Sequence, residues 1–142
     1  MEAWREEAVE EITNLKPYWV RKHSWKPEHV AGDEAIDLFV RMRSGRLGGR
    51  EFLLRLRYLL DWQVAGRRET FVNPEDRSED GTEFWPPHES VRGVNPQHQP
   101  PAICLKGCWG YHSVLHAAER PDGTTLLGFL VELQGVLDEV GP

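Results

Sequence analysis

A chain of 142 residues, of which 39% are hydrophobic and 28% charged, is typical of a folded globular protein, so we expect a single domain over residues 1–142. The formal charge of −6 and the scattered arginines argue against nucleic acid as a partner, because phosphate contacts need a basic surface. The apolar runs are only a few residues long and the chain starts with an acidic stretch, so we also expect a cytoplasmic protein with no membrane partner.

An amphipathic helix is predicted near each end of the chain. In residues 2–15 the apolar side chains recur every three or four positions, and Pro17 cannot continue that helix. Near the C-terminus, Thr124 or Thr125 is a candidate N-cap for a second helix. The apolar stripe of this second helix consists of Leu126, Leu130, Leu133, Leu137 and Val140. Both helices therefore have one face suited to burial.

Extended segments are predicted between the two helices. Residues 35–43 and 51–59 alternate apolar and polar side chains on either side of a glycine-rich turn, which predicts an antiparallel hairpin. A third extended run covers residues 68–72. Residues 18–32 are interpreted as a connection, with one short strand at residues 18–21 as an option.

The second strand of the hairpin has two different faces. Its apolar side chains, Phe52, Leu54, Leu56 and Tyr58, alternate with polar ones. Arg55 and Arg57 fall on the opposite face, as in an antiparallel sheet with one solvated side. We therefore expect the arginines from Arg41 to Arg57 to be solvated.

A long polar segment follows the strands. Residues 75–99 are rich in proline and glycine, and a segment of this length without regular structure usually has a function. We interpret it as a loop that lies against the functional site. The predicted fold class is α+β, with an N-terminal helix, an antiparallel meander of three or four strands, a long active-site loop and a C-terminal helix.

Both cysteines of the chain lie close together after this segment. The cytosol keeps thiols reduced, so Cys104 and Cys108 are expected as free thiols. Cys104 lies in the apolar sequence Ala-Ile-Cys-Leu, where a buried structural thiol is one interpretation and a reactive thiol the other. The pair Asn95-Pro96 precedes it and Trp109 follows it.

This order of motifs resembles the ubiquitin-conjugating enzymes, or E2 enzymes, and within them the divergent bacterial E2-like proteins. The family has a His-Pro-Asn motif, a cysteine flanked by aliphatic residues, a tryptophan and a helix. Asn95-Pro96-Gln97 stands where His-Pro-Asn is expected, with the proline identical. Cys104 matches the thioester cysteine, and Trp109 resembles the tryptophan. The acidic residue that commonly follows the family's Cys-Leu pair is Lys106 here.

The resemblance implies an acyl-transfer function for Cys104. An E2 enzyme carries a ubiquitin-like protein as a thioester, receives it from an E1-like activating enzyme and passes it to an amine of a protein target. The chain itself would then need no cofactor, since the partner performs the activation. Similar bacterial genes occur in anti-phage conjugation operons. For the oxyanion of the transfer step, the candidate hydrogen-bond donors are Gln97, Asn95 and His98.

Two other interpretations of the same residues remain open. In the first, the chain is a non-catalytic interaction module of E2-like fold. In the second, it is a small zinc-binding domain, because two thiols and two imidazoles recur every four residues. The four candidate ligands are Cys104, Cys108, His112 and His116. Gly107 and Gly110 argue against the continuous helix that such a site would need. The other histidines, His23, His29 and His88, are interpreted as satisfied surface or core groups.

Overall fold

The structure is a computed structural model that describes residues 2–45, 49–81, 83–88, 103 and 125–140. These residues form a small α+β fold, which confirms the predicted N-terminal helix, antiparallel meander and C-terminal helix. The helices are α1 (Ala3–Thr13), α2 (Pro17–Lys22), α3 (Trp62–Ala65) and α4 (Leu126–Leu137). The strands are β1 (Lys26–Ala31), β2 (Ile36–Arg43), β3 (Glu51–Tyr58) and β4 (Arg68–Val72).

The four strands form one antiparallel meander in the order β1-β2-β3-β4. In the β2–β3 hairpin, Ile36 pairs with Tyr58 and Arg43 pairs with Glu51. Strand β4 continues the sheet on the far side of β3, where Leu53 pairs with Val72. The predicted hairpin and third extended run are therefore confirmed, and β1 brings the number of strands to four.

The suggested short strand at residues 18–21 is wrong, because these residues belong to helix α2. Pro17 occupies the first turn of α2, a position where its missing N–H and its fixed φ angle suit a helix start. Strand β1 follows at Lys26–Ala31, within the stretch interpreted as a connection. All six of its residues are exposed. Because neither face of β1 is buried, its apolar and polar side chains need not alternate, and periodicity could not indicate a strand.

The main core lies on one face of the sheet, under helices α1 and α4. Strand β3 contributes its predicted apolar face, Phe52, Leu54, Leu56 and Tyr58, and all four side chains are buried. From α1, Ala8 and Ile12 are buried against them. The predicted apolar stripe of the C-terminal helix is also buried throughout. Thr125 is its N-cap, since its side chain accepts a hydrogen bond from Gly128 N at 2.9 Å.

The other face of the sheet has a second, smaller core. Phe39, Leu53 and Val72 are buried there, although this face was predicted to be solvated. The chain after β4 lies over them, with the Arg77 guanidinium 4.0 Å from the centre of the Phe39 ring. Arg77 also pairs with Glu28 of β1 at 2.7 Å. Residues 73–79 therefore cover part of the outer face.

The arginines on this face are ion-paired, and three of them keep the exposure predicted for a solvated face: Arg41, Arg43 and Arg57 have 34%, 59% and 37% of their side chains exposed, whereas Arg55 has 12%. Arg57 donates two hydrogen bonds to Asp37, at 2.8 and 3.0 Å, and this contact raises the pKa of Arg57. Arg55 pairs with Glu79 of the covering segment. Two further arginines, Arg41 and Arg43, pair with Glu51. Alternation alone does not indicate these ion pairs, because their carboxylates come from neighbouring strands and from residues 73–79.

Candidate functional site

The thiol predicted to be catalytic lies outside the described residues. The same is true of its candidate oxyanion donors, Asn95, Gln97 and His98. Cys104 and the other three candidate zinc ligands, Cys108, His112 and His116, also belong to the part of the chain that the structure leaves undescribed. The roles of these residues therefore stay predictions. The structure describes the residues that border these segments along the chain.

Ile103, the residue immediately before Cys104, is a core position. Its side chain is 1% exposed and belongs to the main core, together with Phe84, Trp85 and Leu126. A buried aliphatic side chain resists displacement, because its exposure costs roughly 1.5–3 kcal/mol. The backbone that leads into Cys104 is therefore anchored to the same core as the sheet and the C-terminal helix.

The proline-rich corner before the undescribed segment is also anchored. Trp85 is 3% exposed, and its ring lies 5.3 Å from the ring of Phe71 at an angle of 67°. Phe71 belongs to β4, the strand at one edge of the sheet. The corner Trp85-Pro86-Pro87 thus packs on an edge strand, as expected for a rigid corner that covers a sheet edge.

His88 joins this corner to the end of the C-terminal helix. Its Nε2 atom lies 2.7 Å from the Glu139 Oε2 atom, and its backbone N–H donates to Pro86 O. Residues 89–102, which contain the candidate oxyanion donors, therefore follow His88 and precede Ile103. His88 contacts Glu139 at the end of helix α4, and Ile103 is buried. Sequence reasoning treats His88 only as a satisfied group, because nothing local to it indicates a partner 51 residues away.

Glu11, Tyr58 and Arg67 form a cluster that sequence reasoning missed. Glu11 on α1 receives hydrogen bonds from the Tyr58 hydroxyl at 2.7 Å and from Arg67 Nε at 2.8 Å. Arg67 is 5% exposed and lies 5.6 Å from the ring centre of Trp62. Spacing alone does not indicate the cluster, because its members come from α1, the end of β3 and the residue just before β4.

The ionisation of this cluster is fixed near neutral pH. Burial raises the pKa of Tyr58, and the negative charge of Glu11 raises it further. Burial acts to lower the pKa of Arg67, but the hydrogen bond and charge of Glu11 outweigh it and leave that pKa raised. A neutral phenol and a permanently charged guanidinium are poor proton-transfer groups at pH 7. The contacts of the cluster therefore hold α1 on the sheet.

No protein-family model, curated protein or solved structure matches this chain. Within the described ranges, no three His, Cys, Asp or Glu side chains are grouped so that they could hold a metal ion. None of the helices in those ranges is long and apolar enough to cross a membrane.

Proposed function

We propose that this chain is an E2-like conjugating enzyme, with Cys104 as its thioester-forming residue. The motifs Asn95-Pro96-Gln97, Cys104 and Trp109 support this proposal, as does their position between a four-stranded antiparallel meander and a C-terminal helix. In this proposal the chain accepts a ubiquitin-like modifier from an E1-like enzyme and passes it to an amine of a protein target. It acts in the cytoplasm, as one component of a bacterial anti-phage conjugation pathway.

The anchoring of Ile103 is the observation that carries the proposal furthest. A thioester cysteine needs a backbone held in a constant position relative to the groups that bind the incoming amine, because a small displacement lowers the transfer rate. The core burial of Ile103 holds the preceding residue in this way.

The chemistry of transfer assigns a role to each candidate residue. The Cys104 thiolate attacks the activated C-terminal carbonyl of the modifier carried by the E1-like enzyme. A new C–S bond forms to Cys104 while the bond from that carbonyl to the E1-like enzyme breaks, and the E1-like enzyme keeps the leaving group. An amine then attacks the thioester carbonyl, and the oxyanion formed accepts hydrogen bonds from Gln97, Asn95 or His98. Collapse of this intermediate breaks the C–S bond and releases the thiolate, while the amine nitrogen loses a proton to solvent and becomes an amide. One such donor lowers the activation free energy of the transfer step by about 2.7–4 kcal/mol.

A charging assay tests the proposal. The chain is incubated with ATP and with the ubiquitin-like modifier and E1-like enzyme encoded by neighbouring genes, and the products are separated with and without reductant. We expect an adduct that disappears with reductant, is absent in Cys104→Ala and persists in Cys108→Ala. Cys108→Ala is the matched control, because it removes the chain's other thiol.

Three outcomes would contradict the proposal, and each indicates a different alternative. An adduct that is lost in Cys108→Ala would identify Cys108, and not Cys104, as the acceptor. Absence of any adduct while the E1-like enzyme is itself charged indicates the non-catalytic interaction module. One equivalent of zinc in the purified protein, released on modification of its thiols, indicates the metal site.

A further inference from the structure

Helix α2 and the residues around it form a surface with a charge unlike that of the rest of the chain. Residues 16–26 contain four of the 17 lysines and arginines and none of the 23 aspartates and glutamates. The four cations are exposed, and we call them, together with Tyr18 and Trp19, the α2 surface. They are Lys16, Arg21, Lys22 and Lys26. An acidic protein therefore has one distinctly basic surface.

The cations of the α2 surface also differ from the other basic side chains in their pairing. Within the described residues, none of the four lies within ion-pair distance of a carboxylate, whereas seven arginines elsewhere do. The seven paired residues are Arg5, Arg41, Arg43, Arg55, Arg57, Arg67 and Arg77. The unpaired charge is thus concentrated on the α2 surface, where it is available to a partner.

Aromatic rings accompany these charges at the surface. Tyr18 is 61% exposed, one of the few large apolar side chains with such exposure. Its ring contacts that of Trp19 edge-on, with 5.3 Å between ring centres. The Lys22 ammonium lies 4.8 Å from the centre of the Trp19 ring. Tyrosine, tryptophan and arginine, which all occur on this surface, are enriched in protein interaction surfaces.

The aromatic rings continue inward and fix the surface to the core. His23 stacks between Trp19 and Trp25, with ring-centre distances of 5.9 and 5.0 Å. Trp25 is 3% exposed, and its indole N–H donates to Gln134 of helix α4 at 2.9 Å. The surface is therefore held in place before any partner binds, which lowers the entropy lost on binding.

His23 contributes to this column through stacking. Its Nε2 atom is buried and has no hydrogen-bond partner within the described ranges, so the interpretation of His23 as a satisfied group is wrong. A buried nitrogen without a partner costs stability. The contacts with the two tryptophans offset part of this cost and keep the rings of α2 aligned.

We propose that the α2 surface binds an acidic segment of a partner protein. An apolar side chain of that segment would pack on Tyr18, and its carboxylates would pair with Arg21 and Lys22. Charge complementarity favours an acidic partner, because none of the four cations is paired with a carboxylate within the described residues. Nucleic acid is disfavoured by the net charge of −6, and a helix of six residues with one exposed ring offers little area to a bilayer. The proposal is independent of Cys104.

Binding of a defined peptide tests this surface. The probe is a short synthetic peptide with a central Leu-Phe pair flanked by aspartates and glutamates, and its isosteric control replaces every acid by Asn or Gln. The full chain is labelled with ¹⁵N, and amide shifts are followed during titration. We expect saturable binding of the acidic peptide only, with the largest shifts at residues 16–26 and weaker binding at higher salt.

Matched variants separate this surface from general electrostatic attraction. Tyr18→Ser is compared with Leu60→Ser, since Leu60 is also exposed, at 71%. Arg21→Glu is compared with Arg68→Glu, an exposed arginine of strand β4. We expect Tyr18→Ser and Arg21→Glu each to weaken binding by about tenfold and their controls to leave it within about twofold.

The proposal is overturned if the acidic peptide does not saturate the α2 shifts, or if Arg68→Glu weakens binding as much as Arg21→Glu. Stronger binding to a single-stranded oligonucleotide or to vesicles of phosphatidylserine than to the peptide also overturns it. The substitutions are at exposed side chains, and unchanged amide shifts in the sheet verify that each variant is folded.

Discussion

At the scale of single residues, the Glu11 carboxylate is the clearest case of an interaction that stabilises the fold. It accepts hydrogen bonds from Tyr58 at the end of β3 and from Arg67 just before β4, and so ties helix α1 to the sheet. Breaking a buried pair of this kind by removal of one partner costs about 3–5 kcal/mol, because the remaining charge is left buried. The Tyr58 side chain is fully buried, so loss of its hydrogen bond to Glu11 also lowers the stability of the fold.

The raised pKa of Tyr58 predicts a specific loss of stability in alkali. Below its ordinary pKa of 10.0 the phenol is neutral in both states, and its contribution is fully present. Above that pH the unfolded chain ionises while the folded chain retains its proton, so unfolding releases a proton. The free energy of unfolding then falls by about 1.4 kcal/mol per pH unit from this group alone.

Urea unfolding at pH values from neutral to above 10, in the wild type and in Tyr58→Phe, measures this contribution. The variant should lose about 2 kcal/mol at neutral pH, through the missing hydrogen bond to Glu11, and this deficit should shrink above pH 10. Tyr18→Phe is the matched control, because Tyr18 is exposed, and it should retain the wild-type dependence. A deficit for Tyr58→Phe that stays constant with pH would contradict the account.

At the scale of elements, the structure differs from sequence-based expectation mainly where tertiary contacts replace local pattern. Strand β3 and helix α4 follow their apolar periodicity, and both were predicted correctly. Strand β1 is held by pairing with β2, and its side chains contribute nothing to the core. The outer face of β3 is covered by residues 73–79, whose polar composition gave no indication of a role in packing. Apolar periodicity predicts which side chains are buried. It does not predict structure that depends on backbone pairing or on ion pairs.

The second core predicts that an outer-face residue behaves as a buried one. Leu53 is 1% exposed between Phe39 and Val72, whereas Leu60, on the same segment of chain, is 71% exposed. We expect Leu53→Ala to lower the free energy of unfolding by about 2–4 kcal/mol, because it leaves a cavity. Leu60→Ala should change it by less than about 0.5 kcal/mol. Chemical denaturation of the two variants gives both values, and equal values would mean that residues 73–79 do not cover the outer face.

At the scale of the whole molecule, the described residues include the chain that borders the two undescribed segments, which contain the candidate site residues. His88 reaches Glu139 at one boundary, Ile103 is buried between the segments, and Thr125 caps helix α4 at the other boundary. The chemistry proposed for Cys104 comes from the motif order in the sequence, whereas the structure describes the anchors on either side. Sequence could suggest the thiol, because cysteine and the residues around it are local signals. It could not suggest the anchors, because their partners are distant in the chain.

Native-state alkylation of Cys104 tests the central claim most directly, since it needs no partner protein. The folded chain is treated with iodoacetamide, and labelling is followed by mass spectrometry against a sample unfolded in urea. Trypsin cleaves after Lys106, so Cys104 and Cys108 fall on different peptides. We predict that Cys104 in the folded chain is alkylated within about tenfold of its rate in the unfolded chain. Labelling of Cys104 only after global unfolding would show a buried thiol and contradict its role as an acyl carrier.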